Sequence, residues 1–228
     1  MSKRAFFFDM DGVLFDSMPG HSLSWNQTMQ HYGFDFNPMG AYLNEGRTGF
    51  SVISELIEKQ YGRPATKDEV DEIYAMKTRL FRELGETQPM RGVRQVLDYL
   101  RSRECLIYIV TGSGQLSLFE RLNHSFPGIF TRERMVTAFD VKKGKPDPEP
   151  YLIAWQKTGL HKDECVVIEN APLGVQAGHA SGITTIGVNT GPLPDELLWK
   201  AGADYVLPDM EALLHLIKNP NFNLYNPS

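Results

Sequence analysis

The stretch "FFFDMDGVLFDS", residues 6–17, decides the fold and the chemistry expected of this chain. Three phenylalanines run directly into Asp9 and Asp11, and Asp16 follows within the same stretch. An apolar run followed at once by like charges is costly unless positive charge lies nearby. Ligands of open α/β sheets bind beyond the carboxyl ends of the strands. We therefore predict a buried strand ending in an anionic site, whose counter-charge comes from elsewhere in the chain or from solution.

Length and composition restrict the class of protein. The chain has 228 residues, 42% of them hydrophobic and 22% charged, which suits one globular core carrying an insertion. A net charge of -5 without a basic stripe argues against a nucleic-acid partner. The sequence shows neither a signal peptide nor an apolar run of membrane-spanning length, so we expect a cytoplasmic protein with no membrane partner. Cys105 and Cys165 are expected to be buried free thiols, and the oligomeric state stays open.

Six short, mostly continuous apolar runs predict buried parallel strands. They cover residues 4–8, 106–111, 135–139, 165–169, 184–188 and 204–207. Helical patterns separate the later runs, at residues 92–102, 116–124, 149–159 and 173–182. This alternation predicts an α/β fold built on a doubly wound, Rossmann-like parallel sheet.

The region between the first two runs has a different pattern. Residues 17–88 carry no strand signal, and helical patterns cover residues 22–33, 50–62 and 66–84. The last of these begins with Thr66 and Glu69 in the spacing of a capping box. We predict a small helical domain, residues 17–88, inserted after the first strand of a core formed by residues 1–16 and 89–228.

Polar residues stand at four places where the predicted sheet would present its carboxyl edge. They are Asp9 and Asp11 in "DMDGV", Thr111, Gly112 and Ser113 in "TGS", Lys145 in "GKPDP", and Glu169 and Asn170 in "ENAPLG". Each motif alone is as readily a turn or a helix start. Four of them in this order around one sheet predict a shared site.

These motifs resemble those of the haloacid dehalogenase superfamily of phosphoryl-transfer enzymes, and the helical insertion is similar to the cap of its β-phosphoglucomutase-like branch. The resemblance implies that Asp9 is a nucleophile that becomes an aspartyl-phosphate. It implies that Asp11 is the general acid and base, and we expect the pKa of Asp11 to be raised. Lys145 would add fixed positive charge near Asp9 and the phosphoryl oxygens. The phosphate-binding donors would be Thr111 and the Gly112 and Ser113 amides.

The resemblance also implies a Mg²⁺ cofactor. Its ligands would be the Asp9 carboxylate, the Asp11 backbone carbonyl and Asn170, with Glu169 supporting them through water. Many relatives have an acid where this chain has Asn170. We therefore expect weaker metal affinity here.

The cap residues bear on the substrate. In β-phosphoglucomutases a Lys-Asn pair follows the second motif, whereas this chain has Gly114 and Gln115. A cap arginine of those enzymes holds the distal phosphate, and this chain has Gly49 at that place. Arg47 could replace that arginine or could pair with a surface carboxylate instead.

Two further cap residues are candidates for contact with the substrate or the metal ion. Glu45 could orient Mg²⁺, hydrogen-bond sugar hydroxyls, or be an exposed acid near a helix end. His21 aligns with a histidine near the cap hinge of the mutase branch and could contact the substrate or Asp11.

We therefore expect a Mg²⁺-dependent phosphohydrolase acting on a small phosphorylated metabolite, either pyrophosphate or a sugar or polyol phosphate. The alternative is a β-phosphoglucomutase that interconverts β-glucose 1-phosphate and glucose 6-phosphate. A remote alternative is a receiver-type domain that accepts phosphate without being an enzyme. Such domains are about half this length, carry no cap and accept phosphate after the third strand, which disfavours that alternative.

Overall fold

The core of the molecule is a six-stranded parallel sheet with the strand order β3-β2-β1-β4-β5-β6. The structure is a computed structural model that describes residues 4–114, 118–220 and 222. Its strands are β1 (Ala5–Phe8), β2 (Leu106–Val110), β3 (Met135–Val136), β4 (Cys165–Glu169), β5 (Thr184–Val188) and β6 (Tyr205–Leu207). The predicted doubly wound α/β fold is confirmed.

Strand β1 lies at the centre of the sheet, where Phe8 pairs with Ile109 of β2 and Ile168 of β4. All four of its side chains are buried. Successive side chains of a strand point to opposite faces. Phe6 and Phe8 accordingly belong to one hydrophobic cluster, and Phe7 belongs to the cluster on the other face. The central strand is therefore covered on both sides, which explains its continuous apolar sequence.

Within the described residues, six helices pack against the sheet. They are α5 (Val93–Ser102), α6 (Leu118–Ser125), α7 (Glu149–Thr158), α8 (Pro172–Ala180), α9 (Asp195–Lys200) and α10 (Met210–Lys218). The first four follow the predicted helical patterns, whereas α9 and α10 were not identified from the sequence. The start of α10 could have been recognised from the sequence, because aspartate is a preferred N-cap residue. The Asp209 side chain accepts a hydrogen bond from the Ala212 amide. No helix within the described residues has the length and apolarity to cross a membrane.

The helices of the insertion lie between β1 and α5. They are α1 (Met18–His31), α2 (Gly40–Leu43), α3 (Gly49–Tyr61) and α4 (Lys67–Glu83). The Thr66–Glu69 capping box is present, and α2 was not predicted. A small cluster of their own side chains packs α1, α3 and α4 together, formed by Met29, Ile53, Ile57, Val70 and Ile73. We call residues 17–88 the cap, and these boundaries stay a prediction.

The sequence analysis is wrong about the end of β3 and the burial of Cys105. Strand β3 ends at Val136, three residues early, because the Asp140 side chain accepts hydrogen bonds from the amide and hydroxyl of Thr137 and forms a turn there. Cys105 is half-buried, because it lies in the turn between α5 and β2, whereas Cys165 is buried as expected. Both cysteines are free thiols.

Candidate active site

The predicted site residues converge at the carboxyl edge of the three central strands. Asp9 follows β1 and donates its amide to the Ile168 carbonyl of β4 at 3.0 Å. Thr111 follows β2, and its Oγ1 accepts a hydrogen bond from the Ser113 amide at 3.1 Å. A phosphoryl oxygen would have to compete with Thr111 for that amide. Asp9, Asp11, Thr111, Gly112 and Ser113 line one cleft between the core and the cap.

Lys145 supplies the positive charge that the opening aspartates require. Its Nζ forms an ion pair with Asp9 Oδ1 and a second one, at 2.6 Å, with Glu169 Oε1. It also donates a hydrogen bond to the Val110 carbonyl at 3.1 Å. The side chain is only 2% exposed, so these partners have to compensate for its desolvation. One lysine thus ties together the ends of β1, β2 and β4.

Tyr151 of α7 completes this buried network and was not identified from the sequence. Its hydroxyl donates to Glu169 Oε1 at 2.6 Å, and the residue is fully buried. Burial and the neighbouring Glu169 raise the pKa of Tyr151 well above its ordinary value. The phenol therefore stays a proton donor and holds Glu169 in place.

The site holds more negative charge than Lys145 neutralises. Burial raises the pKa of Asp9 to about 7 against the opposing effect of Lys145, and the carboxylates of Glu169 and Asp11 add to the rise. Burial and the proximity of Asp9 likewise raise the pKa of Glu45 well above its ordinary value. Additional positive charge in this site would lower the pKa of both carboxyl groups toward its ordinary value.

The donor atoms present fit a magnesium ion. Asn170 Oδ1 is buried, and no described residue donates a hydrogen bond to it. The Asp9 carboxylate and the Asp11 backbone carbonyl would add two more oxygen donors, the type that Mg²⁺ prefers. The described residues contain no group of three or more His, Cys, Asp and Glu side chains placed to hold a metal. The predicted set differs from such a group because it includes an amide and a backbone carbonyl.

The expectation of a raised pKa for Asp11 is wrong for this structure. Burial acts to raise it, but hydrogen bonds from His21 and Ser17 and the charge of Arg121 hold the pKa of Asp11 well below its usual range. Ser17 Oγ donates to Asp11 Oδ1 at 2.6 Å, and His21 Nε2 lies 3.5 Å from the same oxygen. The cap therefore stabilises Asp11 as a carboxylate.

Lys77 of α4 orients His21. Its Nζ lies 2.7 Å from His21 Nδ1, and an ammonium group can only donate, so Nδ1 accepts and the ring proton is on Nε2, facing Asp11. Burial lowers the pKa of Lys77 to about 8. The sequence signal for Lys77 was its position on the face of α4 that Val70 and Ile73 also occupy, where a buried lysine needs a partner.

The cap loop around Glu45 and Gly46 closes directly on the core. Both carboxylate oxygens of Glu45 lie 3.1 Å from Asn170 Nδ2, so Glu45 faces the site and is not an exposed acid. Gly46 has a φ of 90°, and a Cβ there would lie 3.1 Å from the Cβ and Cδ of Lys145. A glycine at this position lets the loop lie against the lysine stem.

Arg47 lines the same cleft, but the cap itself uses its guanidinium. The side chain forms an ion pair with Glu55 at 2.6 Å and donates to Asn44 Oδ1 at 2.8 Å and to the Ser51 carbonyl at 3.1 Å. Glu55 is 64% exposed, so this contact matches the second of the two expectations, pairing with a surface carboxylate.

The cleft is small, with a cavity volume of about 140 Å³. Four aromatic side chains of the cap also line it: Trp25, Phe36, Tyr74 and Phe81. A Cβ on Gly114 would lie 3.4 Å from the Phe139 ring, and Gln115 lies outside the described residues. The cleft therefore fits a small ligand with a polar end at the strand edge.

Comparisons with known proteins agree with this architecture. A model of haloacid dehalogenase-like hydrolases matches residues 3–182. Hexitol phosphatase A of Escherichia coli is 34% identical over 97% of both chains, and the phosphorylated carbohydrates phosphatase of Thermotoga maritima is 31% identical over 94% of this chain and 98% of the other. A solved structure from Bacteroides vulgatus, provisionally named a β-phosphoglucomutase, is 48% identical with a TM-score of 0.90, covering 95% of this chain and 88% of that one.

Proposed function

The chain belongs to the haloacid dehalogenase-like hydrolase family, and we propose that it is a Mg²⁺-dependent phosphohydrolase that passes a phosphoryl group from its substrate to Asp9 and then to water. One observation carries the proposal. Lys145 joins Asp9 to Glu169 at the ends of neighbouring strands, and Asp9 lines the cleft between the core and the cap. This arrangement supports a nucleophile that is fixed in place and whose charge Lys145 partly compensates.

The first half-reaction moves the phosphoryl group onto the protein. A carboxylate oxygen of Asp9 bonds to phosphorus as the bond to the leaving oxygen breaks, and Asp11 gives that oxygen a proton. The contacts with Ser17, His21 and Arg121 favour Asp11 as a carboxylate, so it has to take up a proton when substrate binds. An anionic substrate beside Asp11 favours that uptake, because neighbouring negative charge raises the pKa of a carboxyl group.

The second half-reaction returns Asp9 to its starting state. A water molecule bonds to phosphorus and gives its proton to Asp11, and the bond between phosphorus and Asp9 breaks. Throughout, the Thr111 hydroxyl and the Gly112 amide donate to the phosphoryl oxygens, the Ser113 amide can do so once it leaves Thr111, and Lys145 adds positive charge from behind Asp9. A bound Mg²⁺, held by Asp9, the Asp11 carbonyl and Asn170, would supply positive charge against the transferring phosphoryl group.

The proposed substrate is a small phosphorylated metabolite, either a phosphorylated carbohydrate or pyrophosphate. The names of the two phosphatase relatives support the first, since they describe hexitol phosphates and phosphorylated carbohydrates. The cavity of about 140 Å³ supports a compact ligand. The position of Glu45 against Asn170 supports pyrophosphate, because a further carboxylate at the metal site suits a metal-shielded polyanion.

A β-phosphoglucomutase is the second candidate, favoured by the 48% identity to the structure from Bacteroides vulgatus. A mutase and a phosphatase differ in what removes the phosphoryl group from Asp9, a sugar hydroxyl or water. The glycine at position 114, in place of a lysine, reduces the grip on a sugar bisphosphate that has to reorient, which favours hydrolysis. Family membership removes the remote alternative of a non-enzymatic receiver domain.

The deciding experiment measures phosphate release with Mg²⁺ from pyrophosphate, β-glucose 1-phosphate and several hexose and hexitol phosphates. Formation of glucose 6-phosphate from β-glucose 1-phosphate with a trace of the 1,6-bisphosphate is followed in parallel. We expect phosphate release without isomerisation, and loss of release in Asp9→Asn. Isomerisation faster than release would make the protein a mutase. An active Asp9→Asn variant would refute the aspartyl-phosphate route.

A further inference from the structure

The cap loop offers no free guanidinium to a second anionic group of the substrate. The Arg47 guanidinium donates to Glu55, Asn44 and Ser51. At Gly49 a Cβ would lie 2.3 Å from the Cδ2 and Cε2 of Tyr74, so that ring occupies the space a longer side chain would need. A cation that meets a distal anion has to come from another part of the cleft.

Arg121 is placed to be that cation, although nothing in the sequence motifs singled it out. It belongs to α6 of the core and lines the cleft. Its guanidinium carbon lies 4.4 Å from the centre of the Phe15 ring, and Nη2 lies 3.9 Å from Asp11 Oδ1. Cation–π contact with Phe15 holds the planar group beside the proposed acid and base.

The hydrogen-bonding capacity of Arg121 is largely unused. Its Nε is buried and has no acceptor among residues 4–114, 118–220 and 222. Nη2 donates to Met10 Sδ at 3.2 Å, and a thioether sulfur is a weak acceptor. The distance of 3.9 Å between Nη2 and Asp11 Oδ1 is too long for a hydrogen bond. Leaving buried donors of a charged group unpaired costs free energy. The side chain as a whole is 30% exposed and lines the cleft, so a ligand with two or more anionic oxygens could pair with its Nη groups, whose fork matches phosphate geometry.

The reaction places the leaving group next to Arg121. Asp11 has to reach the leaving oxygen within hydrogen-bonding distance. Whatever is attached to that oxygen therefore lies near the neighbours of Asp11. Of the other cleft cations, Lys77 is engaged with His21, and Arg47 is engaged within the cap.

We propose that Arg121 binds the leaving group and favours substrates whose leaving group carries its own phosphate, as in pyrophosphate or a sugar bisphosphate, over those that release a neutral polyol. The proposal rests on the proposed function and narrows its substrate class. Discrimination between substrates would then depend partly on the core, because Arg121 belongs to α6, the helix that follows the second motif.

Binding in the presence of Mg²⁺ tests the proposal without turnover. The probes are imidodiphosphate, an analogue of pyrophosphate with a nitrogen bridge, and orthophosphate, both measured by titration calorimetry. We expect Arg121→Gln to weaken imidodiphosphate at least about tenfold and orthophosphate less than about threefold. Arg121→Lys should fall between, because it keeps the charge and loses the fork. The matched control is Arg132→Gln, which removes an arginine lying 4.4 Å from the Phe119 ring and outside the cleft lining.

Equal weakening of both anions, unchanged imidodiphosphate affinity in Arg121→Gln, or no imidodiphosphate binding by the wild type would each overturn the proposal. Arg121→Lys decides the matter if Arg121→Gln does not fold. The Asp9→Asn assay addresses the proposed function separately. Should that variant retain phosphate release, the phosphohydrolase mechanism fails, while the binding comparison still reports on Arg121.

Discussion

Asn170 of the core donates its side-chain amide to Glu45 of the cap, and both carboxylate oxygens of Glu45 lie 3.1 Å from Asn170 Nδ2. This contact uses the donor side of Asn170 and leaves its Oδ1 buried without a hydrogen-bond donor among the described residues. The cap therefore fixes which atom of Asn170 is available to a metal ion. We therefore expect Mg²⁺ binding to depend on this contact between cap and core.

Replacing Glu45 by Gln should weaken Mg²⁺ binding by about tenfold, a typical effect of removing a partner of a metal ligand. The change keeps the size of the side chain but removes a negative charge from the site. Calorimetric titration with Mg²⁺ measures it. Glu55→Gln is the matched control, since it removes a carboxylate that pairs with Arg47 at the surface. Equal Mg²⁺ affinity in Glu45→Gln and the wild type would contradict the prediction.

Replacing Asn170 by Asp should have opposite effects with and without metal. An anionic oxygen tightens Mg²⁺ binding, so we expect a several-fold lower Kd. Without metal, the new carboxylate faces Glu45 in place of a hydrogen bond, and the loss of about 1–2 kcal/mol should lower the Tm by several degrees. Thermal unfolding with EDTA and with Mg²⁺ measures both. A variant with a higher Tm in EDTA would show that the Glu45–Asn170 contact is not stabilising.

Replacing Lys77 by Met should lower kcat by about 10- to 100-fold with a smaller change in KM. Methionine retains apolar contact with Trp25 and Phe81 but cannot donate to His21 Nδ1, so the imidazole is no longer held in the tautomer that faces Asp11. Steady-state kinetics measures the effect. Because both residues act through one chain of contacts, Lys77→Met should add little in a His21→Asn background. If the double variant lost kcat by the product of the two single losses, Lys77 and His21 would have independent roles.

The metal-free protein should become less stable as pH rises from 5.5 to 7.5. A carboxyl group whose pKa is raised from 3.8 to about 7 by burial binds more protons in the folded than in the unfolded state within that window. The free energy of unfolding therefore falls with rising pH, by on the order of 2 kcal/mol for Asp9 alone. Urea unfolding in EDTA measures it. Asp9→Asn should flatten the dependence, and an unchanged slope in that variant would assign it to other groups.

The sequence was sufficient to predict the parts of the site that follow strands. Asp9 directly follows one apolar run, Thr111 and Glu169 end two others, and parallel strands bring those ends to one edge of the sheet. Lys145 came from a motif in a loop, and the structure gives the reason for it: a buried ion pair with Asp9 and Glu169.

Contacts between distant helices were beyond such reasoning. The partner of Lys77 is 56 residues away in the chain, and Arg121 approaches Asp11 only because α6 packs beside the loop after β1. Arg47 could be assigned to the substrate or to a surface carboxylate until Glu55 was seen beside it. The pKa of Asp11 was predicted to be raised and is lowered, because adjacency in sequence reveals its repulsion with Asp9 but not the hydrogen bonds that Ser17 and His21 give to Asp11.

The position of the cap within the chain has an evolutionary consequence. Helices α1–α4 form one uninterrupted segment between β1 and α5, so a single recombination event could exchange all of them. Such a chimaera would lose His21, Glu45 and Lys77 and keep Asp9, Lys145 and Arg121. If Arg121 selects the leaving group, descendants with transplanted caps would inherit that selection, and new activities in the lineage would arise first among substrates with an anionic leaving group.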